Sequence, residues 1–178
     1  VAGDRPVGEY TGVHGTPPSR MRALAIEAHG GLDQLRVHPA LPVPEPGPGE
    51  VRVRVLAAAL NRLDLWVLAG IPGVHLVPPW VVGADGCGVI DRLGEGATGL
   101  AVGDRVMVNP GWVAGATEGP DEPTTPGYGI LGEHRPGTLA EYVVVPARSC
   151  RVVPADLDPG QAAAASLVGL TAWRMVHG

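Results

Sequence analysis

The chain has 178 residues, 45% of them hydrophobic, with 27 glycines, 19 prolines and a formal net charge of -5. Glycine and proline reach about a quarter of the chain, where low complexity begins, but disorder also needs low hydrophobicity and high charge, and both are lacking. The absence of a Gly-X-Y period excludes collagen, the absence of lysine and of any basic run argues against nucleic acid and anionic membrane as partners, and no uncharged apolar run nears the ~18 residues of a membrane span.

Glycine and proline must then punctuate short elements, which predicts a turn-rich, mainly β domain, and the length allows one domain with an appendage. The N-terminus has no apolar stretch of the secretory kind. Cys87 and Cys150 read as two buried thiols in a reducing compartment, so the expected location is cytoplasmic.

Residues 1–20 have no period and end in Pro17-Pro18-Ser19; they read as a flexible extension, with folding starting at Met21. Ala23–Glu27 predicts a first strand, turned at Gly30-Gly31 and paired back by Leu35–Val37. Pro39–Gly49 is too rich in proline for a central strand and reads as an extended connector. Glu50–Leu56 is the cleanest alternation in the chain, with Val51, Val53 and Val55 on one face and Arg52 and Arg54 on the other. Ala57–Leu68 is expected to be short and partly helical. Pro78-Pro79 marks a turn before Trp80–Val82 and the glycine-rich run Gly83–Ile90. Gly94, Gly96 and Gly99 punctuate the next turns, and Arg105–Val108 reads as another strand. Residues 109–137 look like a long loop. Thr138–Val145 reads as a last strong strand. Asp158-Pro159-Gly160-Gln161 carries a helix start, with Asp as N-cap, Pro at the first position and Gln three after the cap. Ala162–Val176 is expected to continue that helix.

Three runs then combine: PGEVRVRVLAAALNRLDLW from Pro48, GADGCGVIDRLGEGATGLAVGDRV from Gly83 and GTLAEYVVVPA from Gly137. Together they resemble the N-terminal catalytic domain of the medium-chain dehydrogenase/reductase superfamily, most of all its zinc-type alcohol dehydrogenase-like and quinone oxidoreductase-like members. The resemblance implies a GroES-like, partly open β-barrel with short helices and a C-terminal helix. It implies a division into an extension (1–20), the GroES-like domain (21–155) and a helix (156–178) leading to a nucleotide-binding Rossmann domain that is absent from this chain.

The resemblance also assigns candidate residues. Zinc members place a Cys where Asn61 stands, a His-Glu pair where Ala84-Asp85 stand and another Cys near Leu167; a catalytic zinc needs about three such ligands. Asn and Ala do not replace them, and Asp85 alone is not a site. Residues 109–137 carry no cysteine for a structural zinc, so neither kind of zinc is expected; His14, His75 and His134 are scattered and read as surface residues. Zinc-independent members carry Asn-x-x-Asp, which Asn61-Arg62-Leu63-Asp64 matches. By resemblance, Asn61 and Asp64 are the catalytic candidates: Asn61 faces the nicotinamide or the substrate carbonyl, since its amide both donates and accepts, and Asp64 orients the turn. Arg62 and Thr171 are the cofactor-binding candidates, Arg62 at a phosphate and Thr171 beside the nicotinamide. The residues alone also allow a helix cap for Asp64, a solvated charge for Arg62, and a threonine bonded back one turn for Thr171.

Gly127-Tyr128-Gly129-Ile130-Leu131-Gly132 spells a dinucleotide motif, but it lacks the strand before and the helix after that such a motif needs. Trp66, Trp80 and Trp112 are expected in the core rather than in a substrate pocket.

The expected function is the substrate side of a zinc-independent oxidoreductase that uses NADP or NAD, bound mainly by the missing domain, to transfer hydride to a quinone, enone or carbonyl. The expected partner is a small-molecule substrate, with a homo-oligomer possible in the family. A divergent zinc alcohol dehydrogenase and a non-catalytic GroES-like binding module are the alternatives.

Overall fold

The computed structural model describes residues 18–115 and 123–177. In chain order they form β1 (Arg20–Ile26), β2 (Leu35–Pro42), β3 (Glu50–Ala59), α1 (Arg62–Ala69), β4 (Trp80–Val81), β5 (Asp85–Leu93), β6 (Arg105–Val108), β7 (Gly111–Val113), β8 (Tyr128–Ile130), β9 (Tyr142–Pro146), β10 (Cys150–Val152), α2 (Pro159–Ala164) and α3 (Ser166–His177). The ladders between these strands are antiparallel. They make a five-stranded sheet in the order β10-β6-β5-β3-β9, a three-stranded sheet β2-β1-β4 and a two-stranded β7-β8 ribbon. The result is the mainly β, open-sheet GroES-like architecture, with no parallel doubly wound sheet among the described residues.

The alternation in β3 does what its period requires. Val51 and Val53 are buried with Ile90, Val106, Val108, Val143, Val145 and Trp112 in the main core. Each valine side chain removed from water contributes about 1.5–3 kcal/mol. A second cluster, Ile26, Val67, Leu68 and Val82, holds α1 on the barrel. A third, Cys87, Val153, Ala162 and Ala163, seats α2. The alanines let that helix approach the strands closely.

Arg52 lies opposite the valines, as expected, and is 1% exposed. Several other expectations need correction. Proline does not end the second strand at Val37: β2 runs on through Pro39 to Pro42 as an edge strand. The ladder shifts register between Met21 and Ala23, across from Pro39 and Ala40, which is where a missing N–H is tolerated. Met21 is not the first ordered residue, since Ser19 O accepts from Val43 N and Arg20 pairs with Pro42; residues 1–17 lie outside the described residues.

The 109–137 stretch contains the β7-β8 ribbon; its residues 116–122 lie outside the described part. Thr138 and Leu139 precede β9 rather than start it, donating backbone N–H groups to Gly83 O and Val82 O at 2.9 Å each. Trp112 is in the core and Trp80 is half-buried with Nε1 on Gly132 O, but Trp66 is 56% exposed.

Cys87 and Cys150 are free, buried thiols, as expected. Asp158 caps α2 as its sequence predicts, accepting from Gln161 N at 3.0 Å. The single expected C-terminal helix is two, parted at Ala165. At the break, Leu167 gives its N–H to Asp85, and the buried Ser166 hydroxyl donates to Val108 O.

Candidate active site

Where β3 ends, Asn61 takes an extended backbone and caps α1. Asp64, three residues on, accepts from Asn61 N with Oδ2 at 2.7 Å. With the Asn61 side chain facing the Asp64 backbone N–H in return, this is a capping box, which explains locally why Asn-x-x-Asp opens a helix here. Asp64 also accepts from the backbone N–H of Gly83, so it ties α1 to the turn before β5.

Asp85 opens β5 and is 1% exposed. Its Oδ2 accepts from Asn61 Nδ2 at 2.8 Å, and its Oδ1 accepts from Leu167 N at 2.6 Å. Thr138 is buried and donates its hydroxyl to Asp85 O at 2.7 Å, which pins the main chain of Asp85. One carboxylate thus joins β5, the cap of α1 and the first turn of α3.

Burial pushes the carboxyls of both Asp64 and Asp85 above the ordinary aspartate range. For Asp85 the hydrogen bonds from Asn61 and Leu167 oppose that rise, and the nearby Asp64 charge adds to it. For Asp64 the backbone N–H groups of Asn61 and Gly83 oppose it.

The structure brings Asn61 and Asp64 together with Asp85. Arg62 lies on the exposed side of α1. The exposed Thr171 side chain donates to Leu167 O at 2.8 Å, one helical turn back, the bond its residue type allows in any helix. Leu167 is therefore the link between Thr171 and the Asn61–Asp85 pair.

Asp85 is the residue that sequence reasoning set aside as a lone carboxylate. Its signal was available: it falls in the glycine-rich run at the position of the zinc members' His-Glu pair.

These positions do not suit a zinc ion. Asn61, Ala84 and Leu167 supply no thiolate or imidazole, and both oxygens of Asp85 are already hydrogen-bonded. No group of three or more His, Cys, Asp or Glu side chains among the described residues could hold a metal. A phosphate cradle is missing among the described residues: Gly127–Gly132 enters β8, which pairs with β7, and no helix follows it.

Two clefts lie elsewhere. One of about 620 Å³ is lined by Trp112, Arg135 and Arg148, and one of about 490 Å³ by Met21, Leu41 and Tyr142, among others. Neither is lined by Asn61, Asp64 or Asp85. Around the site, Leu60, Leu65 and Trp66 are exposed, as are Val168, Leu170 and Trp173 of α3. Among the described residues, no helix is long and apolar enough to cross a membrane.

The family model of the alcohol dehydrogenase GroES-like domain matches residues 47–155. A zinc-type alcohol dehydrogenase-like protein of Schizosaccharomyces pombe is 31% identical over 89% of this chain and 45% of its own length. An NADPH-dependent alkenal/one oxidoreductase of Arabidopsis thaliana chloroplasts is 31% identical over 87% of this chain and 36% of its own. The solved structure of an NAD-dependent alcohol dehydrogenase superposes with a TM-score of 0.81 at 52% identity, covering 88% of this chain and 46% of that one. The chain thus spans under half the length of each of these relatives. With the barrel, the matched domain and oxidoreductases among its relatives, the chain belongs to the medium-chain dehydrogenase/reductase superfamily through its alcohol dehydrogenase GroES-like domain.

Proposed function

We propose that this chain is the substrate-side part of a zinc-independent oxidoreductase that uses NADPH or NADH to reduce a quinone, enone or carbonyl. The observation that carries this reading is the Asn61–Asp85–Leu167 clasp, in which Asp85 binds the Asn61 side chain and the Leu167 N–H, with alanine at position 84 and no thiolate or imidazole at the positions where the resemblance puts the zinc ligands. A bound nicotinamide supplies the hydride. The role of this chain is to present Asn61 to the reacting side, to hold it with Asp64 and Asp85, and to offer Thr171 at the nicotinamide edge and Arg62 toward a phosphate. Leu60, Leu65 and Trp66 supply an apolar wall suited to a small substrate. The exposed apolar residues of α3, with Trp173 at 65%, suit a helix covered by the nucleotide-binding half of a full-length enzyme.

A second reading has its own support. The 52% identity to an NAD-dependent alcohol dehydrogenase favours alcohol as the substrate. Metal analysis separates the two. The purified chain should contain no stoichiometric zinc by inductively coupled plasma mass spectrometry; one zinc per chain would overturn the zinc-independent reading. The chain alone should oxidise NADPH negligibly, because it offers no dinucleotide crevice among its described residues, and measurable turnover by it would contradict the assigned division of labour.

A further inference from the structure

We infer that Asp85 is a positioning residue that fixes which end of the Asn61 side-chain amide faces the reactants; the inference rests on the reading of Asn61 as the reactant-facing group. An asparagine amide has two ends of nearly equal shape and opposite hydrogen-bonding sense. Which end is presented decides whether the residue donates or accepts, and so which ligand groups it can meet.

Four contacts determine the answer here. Asp85 Oδ1 takes the Leu167 N–H at 2.6 Å and Oδ2 sits 2.8 Å from the Asn61 side chain. An ionised carboxylate can only accept, so the end of Asn61 turned toward it is the NH2 group. Thr138 holds the Asp85 main chain, and the Leu167 N–H holds the carboxylate itself. Asp64 holds the Asn61 backbone N–H, which fixes the main chain of the cap. The Asn61 oxygen is therefore the end turned away from Asp85, on the side of the Asp64 backbone N–H that completes the capping box, and a further group that meets its remaining lone pair must bring an N–H or O–H. That favours a carboxamide NH2 or a hydroxyl over a carbonyl at this point.

The same carboxylate joins α3 to the barrel, so a structural role and a positioning role must be read separately. The Asp85→Asn variant does this. Its side-chain oxygen can still take the Leu167 N–H, while its NH2 faces Asn61 and obliges the Asn61 amide to turn over.

The chain has two asparagines and two glutamines, so its side-chain amide spectrum is small enough to assign on the ¹⁵N-labelled protein. In the unaltered chain one Asn61 side-chain proton should exchange with solvent about tenfold or more slowly than that of the exposed Gln161, as a bond to a charged acceptor requires. In Asp85→Asn that protection should be lost while the Leu167 backbone N–H stays protected. In Asp85→Ala both should be lost. Solvent-like exchange of Asn61 in the unaltered chain, or unchanged Asn61 protection in Asp85→Asn, would overturn the inference. Stoichiometric zinc in the metal analysis would instead sink the zinc-independent reading, which the exchange data do not address.

Discussion

Arg52 and Asp91 form a two-point ion pair between β3 and β5: Nε donates to Oδ1 and Nη2 to Oδ2, each at 3.0 Å. Nη1 donates to Glu45 and to Pro44 O, and the guanidinium stands 5.5 Å from the centre of the Tyr142 ring. A buried arginine is tolerated because its donors are matched; removing it leaves a carboxylate in a dry place. Arg52→Ala should therefore cost about 3 kcal/mol or more in unfolding free energy. Replacing both partners, as in Arg52→Met with Asp91→Leu, should cost clearly less, because neither charge is then stranded. Urea unfolding of the three proteins checks this, and equal losses for the single and double variants would contradict it.

The two thiols should be inert in the native protein. Burial pushes the Cys150 thiol up to about 12, and it raises that of Cys87 as well. The thiolate is the reactive form, so at pH 8 almost none is present, and both sulfurs are shielded from reagents. Native protein should release no chromophore from a disulfide dye within minutes, and the denatured protein should titrate both cysteines. Fast reaction of native Cys87 would show that the α2 side of the barrel opens, and of Cys150 that the main core does.

Features with a strong local signal were legible in the sequence. The alternation of Val51, Val53 and Arg52 marks β3, Asp158-Pro159 marks α2, and the spacing of Asn61 and Asp64 marks the cap of α1. Strands β7, β8 and β10 were missed because three residues carry no measurable period. Alternation tells which face Arg52 is on, but not that Asp91, Glu45 and Tyr142 cover that face. The clasp was least legible, since its bonds join Asp85 to residues 24 and 82 positions away. The helix break at Ala165 belongs with it, as Leu167 spends its N–H on a residue no local pattern can name.

The pH dependence of stability should carry the mark of the buried acids. The folded-state value of Asp64 lies above its ordinary one because burial disfavours the charge. The folded protein then holds this proton more tightly than the unfolded chain does. The associated stability is fully present below the unfolded value and is lost as pH rises through the raised folded value. The Asp64→Asn variant keeps an acceptor for Asn61 N but has no proton to lose. The stability of the unaltered protein relative to this variant should therefore fall between the ordinary aspartate value and neutrality. Asp85 is shifted upward in part by the charge of Asp64, so the variant should relax that rise too. Unfolding curves taken from pH 4 to pH 7 check the slope, and an opposite slope would mean that hydrogen bonding outweighs burial at Asp64.

Gly83, which bonds Asp64, offers the sharpest steric test. Its φ is +105°, and a Cβ there would lie 2.7 Å from Leu139 N and 2.8 Å from Thr138 Oγ1. The obstacle is partly backbone, so it cannot move aside without disturbing the Thr138 contact that holds Asp85. Gly96 also has a left-handed backbone, with φ +71°, but nothing lies within 4 Å of its Cβ position. Gly96→Ala should then cost only the conformational penalty, about 1 kcal/mol. Gly83→Ala adds a clash in a packed interior, where overpacking alone costs about 1–3 kcal/mol, so its total should be at least twice that of Gly96→Ala. Gly83→Ala should also raise the exchange rate of the Asn61 side chain, because Asp64 and Asp85 both lean on this turn, whereas Gly96→Ala should leave that rate unchanged. Equal destabilisation by the two substitutions would mean that the 83–85 turn yields, and that the clasp is not held as rigidly as its contacts require.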